Sequence, residues 1–419
     1  MLRIIGFCEF IFLKSHRQQN GDRRIKDNSA VPILLSDSVY PKSQIVLILP
    51  YRIRSVKLVA LILALIILAL LALNAWMMSP TKLQWQLQLV TTEFGHWLAL
   101  LALVLIYPAA QTSRWFALPF LLLACAFLIP AFQASRVAKA QGLPFSWLRL
   151  WLPFHTRKFE VHNERRTYWQ QGDESLDIVI YRPVGADKPL PCLLIAHTGG
   201  WDSGDPGEFI GANTELASHG YVVCSFGYRL APKHRWPAQA DDTRHAFAWI
   251  REHAAELGID SNRIVLMGRS AGAQIAAACA YGMPELGARG CISVYGTPNM
   301  HLAREWSVPD DLLKSLTLVR QYMGGDPHEV PEAYRSASAT TFLDQHSLPT
   351  LLIHGALDSL VGIGHSRRFT ALRSGRDDHH FLELPWGTHG TDYFPSTPGG
   401  QLSMAAIRRF MERFVHGGS

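Results

Sequence analysis

The sequence predicts an α/β protein in which a mostly parallel sheet flanked by helices follows about three transmembrane helices. Two observations support this. From Asp177 onward, short apolar runs alternate with helical stretches, the pattern of a sheet covered on both faces. Ahead of them, Leu58 to Leu73 is unbroken apolar sequence and Trp115 to Phe132 contains no charge. With their flanks, both approach the roughly 20 residues that cross a bilayer core.

Taken in order, residues 1–57 form a tail that is polar and basic around Lys14 to Asn28 and is expected to be disordered. The membrane region covers 58–133, with spans at about 58–78, 94–110 and 115–132. The middle one is shorter and contains His96 and Pro108, so a re-entrant segment is its alternative. Residues 134–158 read as an interfacial linker. Phe145, Trp147, Trp151 and Phe154 surround Arg149 there, a mixture suited to the headgroup layer. The α/β domain is placed at 159–419, and a chain starting near Phe159 is expected to fold alone. Its strands are expected at Asp177–Tyr181, Leu190–Ala196, Tyr221–Phe226, Ile264–Gly268, Cys291–Tyr295, Thr350–His354 and Phe381–Leu384. Helices are expected at Glu208–Ser218, Asp241–Leu257, Ala271–Ala280, Ser366–Arg373 and Leu402–Phe414.

The chemistry centres on Gly268-Arg269-Ser270-Ala271-Gly272, which follows the apolar run Ile264–Met267 and leads into a small-residue helix. A serine on so sharp a strand-to-helix turn needs neighbours without bulk two positions away, and the turn lifts its hydroxyl over the helix N-terminus. Ser270 is the candidate nucleophile. A hydroxyl is a weak nucleophile near neutral pH and needs an imidazole to take its proton, and a carboxylate holds that imidazole in the required tautomer. Downstream, Leu351–Ile353 leads to Asp358, the candidate acid. Phe381–Leu384 is followed by the glycine-flanked His389, the candidate base. Upstream, His197-Thr198-Gly199-Gly200-Trp201 closes a strand where an oxyanion-binding loop belongs. The amides of Gly199, Gly200 and Ala271 are the candidate donors. Trp201 and Arg269 are candidates for contact with substrate, a buried salt bridge being the alternative role for Arg269.

With these motifs, Tyr228–Pro232, Trp236–Ala238, Asp241–Asp242 and Gly324–Asp326, the chain resembles the α/β-hydrolase carboxylesterases of the hormone-sensitive-lipase type. Among membrane-bound members it resembles the isoprenylcysteine-methylesterase-like proteins. The likeness runs from about Asp177 to His389. It implies the α/β-hydrolase fold, ester hydrolysis without metal or organic cofactor, scaffold roles for Tyr228, Arg229 and the Asp241–Asp242 pair, and a cap over the pocket from Thr297 to Leu343, with Trp306 and Tyr322 as lining candidates. One departure stands out: Thr198 follows the loop histidine where the family usually has glycine. A peptidase or amidase using the same triad, and a catalytically silent scaffold of the same fold, are the alternative functions.

Composition fits this division. Hydrophobic residues make up 48% of the 419, and the net charge of +6 owes much to lysines and arginines beside the spans, which suit an anionic lipid surface better than nucleic acid. Small-molecule or lipid esters and membrane lipids are therefore the expected partners, and a multi-pass membrane location is expected. The six cysteines form no C-x-x-C pair and read as small buried hydrophobes. His379 and His380 beside Asp377 and Asp378 invite a metal reading, but adjacent strand residues point to opposite faces.

Overall fold

Strand-forming runs in the second half of the chain assemble into one eight-stranded sheet in a computed structural model that describes residues 42–152 and 159–416. Most of the predicted tail lies outside the described residues. The strands are β1 (Val161–Gln171), β2 (Glu174–Pro183), β3 (Leu190–Ala196), β4 (Val222–Phe226), β5 (Ile259–Arg269), β6 (Cys291–Val294), β7 (Thr350–Gly355) and β8 (His379–Leu384). Their order across the sheet is β1-β2-β4-β3-β5-β6-β7-β8. β1, β2 and β4 pair antiparallel, and every pairing from β4 through β3 to β8 is parallel. β1 was not predicted. Its sequence, VHNERRTYWQQ, is that of a solvated edge strand with almost no apolar run to detect.

Central strands read as continuous hydrophobic runs because both faces are covered. Leu194, Leu266 and Cys224 belong to one core, and the alternating Leu193, Val265 and Val223 to the other. The helices that bracket the site are α1 (Lys42–Asn74), α2 (Lys82–Glu93), α3 (Gly95–Ala110), α4 (Arg114–Gln141), α5 (Trp147–Trp151), α6 (Ile210–Ala217), α7 (Ala238–Glu252), α8 (Ala254–Leu257) and α9 (Ala271–Gly282). They continue with α10 (Met300–Glu305), α11 (Ser315–Met323), α12 (Pro331–Ser336), α13 (Gly364–Leu372) and α14 (Pro398–Met411).

Among the described residues, two segments are long and apolar enough to cross a membrane: Ser55–Asn74 within α1, with mean hydropathy 3.1, and α4. The expected middle span is α3. At 16 residues it is about 24 Å long, short of the ~30 Å hydrocarbon core, and it meets α2 at a bend of 78°. α1, α3 and α4 pack through Leu61, Leu68, Ala99, Ala102, Phe120 and Phe127.

The domain expected at 159–419 shares a core with earlier residues. Trp85 and Leu89 of α2, Ala134 and Ala138 of α4, and Leu143 belong to the same buried cluster as Val265, Met267, Leu382 and Leu402. The second half of α4 lies on the sheet core beside α14. The interfacial segment is held by a buried ion pair, Arg149 to Glu215 at 2.9 Å, and by Trp151, whose ring packs edge-on against His96 and Trp97.

Candidate active site

β5 ends at Arg269 and α9 begins at Ala271, so Ser270 occupies the turn alone, at φ 54° and ψ −120°. The two glycines make this turn possible. A Cβ on Gly268 would lie 2.0 Å from the Gly272 carbonyl oxygen, and one on Gly272 would lie 2.1 Å from that of Ala196. No side chain fits at either position.

His389 and Asp358 come from loops after β8 and β7, whose backbones touch at Gly387 and Gly355. His389 Nε2 is 2.9 Å from Ser270 Oγ, and Nδ1 is 2.8 Å from Asp358 Oδ2. The carboxylate fixes the tautomer: Nδ1–H donates to Asp358, which leaves Nε2 to accept from the serine hydroxyl. Asp358 is 1% exposed, and its Oδ1 accepts from the backbone amides of Leu360 and Val361, each at 2.9 Å. Burial by itself would raise its pKa, but the facing His389 and hydrogen bonds from His354 and His389 outweigh it and hold the carboxyl well below the usual range.

His354 supports this group without joining it. Its Nε2 lies 2.8 Å from the Val361 carbonyl and 3.4 Å from Asp358, and Nδ1 is hydrogen-bonded with Ser366 Oγ at 2.7 Å. Since a carbonyl only accepts, Nε2 carries a proton, which lies toward the Asp358 turn.

In the loop after Ala196 and His197, whose carbonyls lie against Gly272, Gly199, Gly200 and Trp201 run with φ of 127°, 63° and 68°. Among the described residues no acceptor is found for the amides of Gly199 or Gly200. The N–H of Ala271, in the first turn of α9, is one of the four without an intrahelical partner. Thr198 is buried, and its carbonyl takes the His197 ring at 2.5 Å. Burial pushes the His197 pKa down to about 4, so this loop histidine is a neutral brace.

The expected substrate contacts are placed differently. Arg269 is 2% exposed; its Nε donates to Asp392 Oδ2 at 2.6 Å and its guanidinium lies 4.4 Å from the Phe209 ring centre. No face of it is open to a substrate, so its role is the alternative one, a salt bridge. Trp201 donates through Nε1 to Gln274 Oε1 at 3.0 Å and stacks on Tyr322 with ring centres 4.6 Å apart. Tyr322 has no exposed surface and donates to the same oxygen at 2.9 Å, so it forms the floor beneath Trp201, not a pocket lining. Trp306 lies against His365 and Gly364 with 45% exposure.

Arg229 Nε pairs with buried Asp242 at 2.7 Å, whereas Asp241 is exposed and pairs with Arg244 at 2.8 Å. His379 and His380 part as strand neighbours do, one ring against Phe369 and the other against Phe414. All five described cysteines are free thiols; Cys125 is exposed on α4 and the other four are buried.

Four residues beside the site had no sequence signal. Asp392 takes Arg269 on one oxygen and the Tyr295 hydroxyl on the other at 2.6 Å, and the Tyr295 ring lies 4.5 Å from that of His389. Trp85 and Glu93, from α2, reach the His389 loop from a segment some 300 residues away.

Comparison with solved structures agrees with this topology. An esterase from Rhizomucor miehei is similar with a TM-score of 0.51 at 20% identity, over 68% of this chain and 98% of its own. Thermogutta terrifontis esterase 2 is similar with a TM-score of 0.51 at 22% identity, over 63% and 98%. The chain has the α/β-hydrolase fold. The BD-FAE family model matches residues 176–372, which include Ser270 and Asp358 but end before His389. Esterase LipC of Mycobacterium tuberculosis is 29% identical over 58% of this chain, and esterase LipQ of the same organism is 27% identical over 67%. The chain spans 64% of LipC and 69% of LipQ.

Proposed function

We propose that the chain is a membrane-anchored serine carboxylesterase of the hormone-sensitive-lipase type, with α1, α3 and α4 as its anchor and Ser270, His389 and Asp358 as its catalytic triad. The observation behind this reading is the continuous chain of hydrogen bonds from Ser270 through His389 to Asp358, at 2.9 and 2.8 Å, beside a loop with unpaired amides. The similarity to LipC and LipQ supports ester hydrolysis.

Ser270 Oγ attacks the acyl carbonyl as its proton passes to His389 Nε2. The tetrahedral oxyanion is taken by the N–H groups of Gly199, Gly200 and Ala271, and Asp358 stabilises the imidazolium so formed. The C–O bond to the alcohol breaks, Nε2–H protonates the departing oxygen, and an acyl-serine remains. Water then attacks this ester, giving its proton to Nε2. The second tetrahedral intermediate collapses to the carboxylic acid, and Ser270 recovers its proton.

The test is a series of p-nitrophenyl esters and matched anilides hydrolysed in detergent by the full chain and by Ser270→Ala. Ester turnover that Ser270→Ala abolishes is expected. Anilide turnover above ester turnover would establish an amidase instead, and no turnover of either, in protein that stays folded, would establish a scaffold.

A further inference from the structure

α2 is out of character for a membrane segment. KLQWQLQLVTTE has glutamines and threonines where a span would have leucines, yet Trp85, Gln88, Leu89, Thr91, Thr92 and Glu93 are buried. Of these, Trp85 and Glu93 are buried against the loop that holds His389. Trp85, with no exposed surface, donates its Nε1–H to the backbone carbonyl of His389 at 3.2 Å. Glu93 is 1% exposed, and its Oε1 accepts from Trp386 Nε1 at 3.2 Å and from Thr391 Oγ1 at 2.7 Å. Its Oε2 accepts from the amide of Gly399 at 2.8 Å. Trp386 and Thr391 bracket His389, and Gly399 opens α14, so the carboxylate joins both ends of the His389 loop to a helix N-terminus that favours negative charge. Gly399 has to be glycine here, since a Cβ would fall 2.0 Å from Thr391 Oγ1 and 2.9 Å from Glu93 Oε1. On the acid side, the amide of Ser79 donates to Ser359 Oγ at 2.8 Å, one residue beyond Asp358.

A contact that only buried apolar area would not need this polarity. A buried carboxylate is costly unless it is hydrogen-bonded, and Glu93 finds all its partners around one catalytic loop. We propose that the segment Ser79–Glu93, between the first apolar helix and the next, is a working part of the catalytic site, with Glu93 and Trp85 as positioning residues for His389. This rests on the reading of Ser270, His389 and Asp358 as a triad. The membrane region then does more than localise the enzyme: it completes the loop that holds the general base.

The test uses the full chain in detergent with a short p-nitrophenyl ester, comparing wild type with Glu93→Gln, Glu93→Ala, Trp85→Phe and Ser270→Ala. kcat, KM, the acid limb of the kcat/KM pH profile and the thermal midpoint are measured for each. Small displacements of a catalytic group cost up to about 100-fold in rate. For Glu93→Ala we expect kcat to fall about 10- to 100-fold with KM within about twofold, and the acid limb to move. Glu93→Gln keeps the acceptor for Trp386 and Thr391 but turns an N–H toward Gly399, so it should recover part of the loss. Trp85→Phe keeps most of the packing and loses only the donor to His389, with a smaller fall in kcat of the same kind. A lowered thermal midpoint with kcat and the acid limb unchanged well below that midpoint would reduce these contacts to scaffolding and overturn the proposal. Unfolding of both Glu93→Gln and Trp85→Phe would overturn it equally. If Ser270→Ala keeps wild-type turnover, the triad reading itself has failed; if Ser270→Ala is inactive while the Glu93 and Trp85 variants match wild type, only the positioning role has failed.

Discussion

Arg269 and Asp392 form a fully buried ion pair, Nε to Oδ2 at 2.6 Å, that ties the residue before the candidate nucleophile to the residue three beyond the candidate base. The two loops that must meet at the Ser270–His389 hydrogen bond are thereby joined below it, and the second Asp392 oxygen, held by Tyr295, extends the link to the end of β6. Removing one partner strands a charge in the interior, which typically costs about 3–5 kcal/mol. Arg269→Met and Asp392→Leu should each destabilise by about that much, and the double variant by clearly less than their sum. Chemical denaturation of the four proteins measures this. Because Arg269 faces no substrate, the preference between anionic and neutral esters should not change in any folded variant; a changed preference would restore Arg269 as a substrate contact.

Histidine burial sets a pH dependence of stability. His197 and His365 are both held neutral, with pKa values lowered by burial from 6.5 to about 4. Their contribution is fully present above pH 6.5, where the unfolded chain is also neutral. It is lost as pH falls from 6.5 toward 4, since the unfolded chain gains protons that the fold refuses. Each should steepen the loss by up to about 1.4 kcal/mol per pH unit. Glu208, which burial raises from 4.5 to about 8, acts in the opposite sense over part of that window, so single variants must be compared with wild type. Denaturant midpoints between pH 7 and 5 should show a shallower slope for His365→Leu, and the same slope in both proteins would contradict the assignment.

Much of this site was legible in the sequence because its key residues are local. Ser270 announces itself through glycines two positions away, and Asp358 and His389 each follow a continuous apolar strand. What could not be read is long-range pairing. Arg269 was offered to the substrate because nothing in its own neighbourhood points to Asp392, 123 residues later. The domain boundary was set at 159 because hydropathy detects spans but not a polar helix such as α2, whose burial exists only against the His389 loop. β1 was missed for the related reason that an edge strand lacks an apolar signature.

That boundary has a consequence for truncation. A chain beginning at Phe159 was expected to fold alone. It would lose Trp85, Leu89, Ala134, Ala138 and Leu143, and so open one face of the core that contains Val265, Met267 and Leu402. Emptying a single large core position costs about 3–5 kcal/mol, comparable to much of a domain's stability. The truncated chain is therefore expected to be insoluble or to lack a cooperative unfolding transition, whereas a chain beginning at Ser55 should fold in detergent. Circular dichroism melts of the two decide this, and a truncated chain with a wild-type midpoint would show that α2 and α4 are dispensable to the core.

The most direct measurement of the central claim is intact-mass and peptide mapping of the full chain in detergent after treatment with an aryl phosphonate that labels activated serines. One adduct per chain is predicted, on the peptide containing Ser270. It should be absent in Ser270→Ala and slowed about 10³-fold or more in His389→Ala. Folded protein that takes up no phosphonate at Ser270, or that is labelled there as fast in His389→Ala as in wild type, would contradict the account.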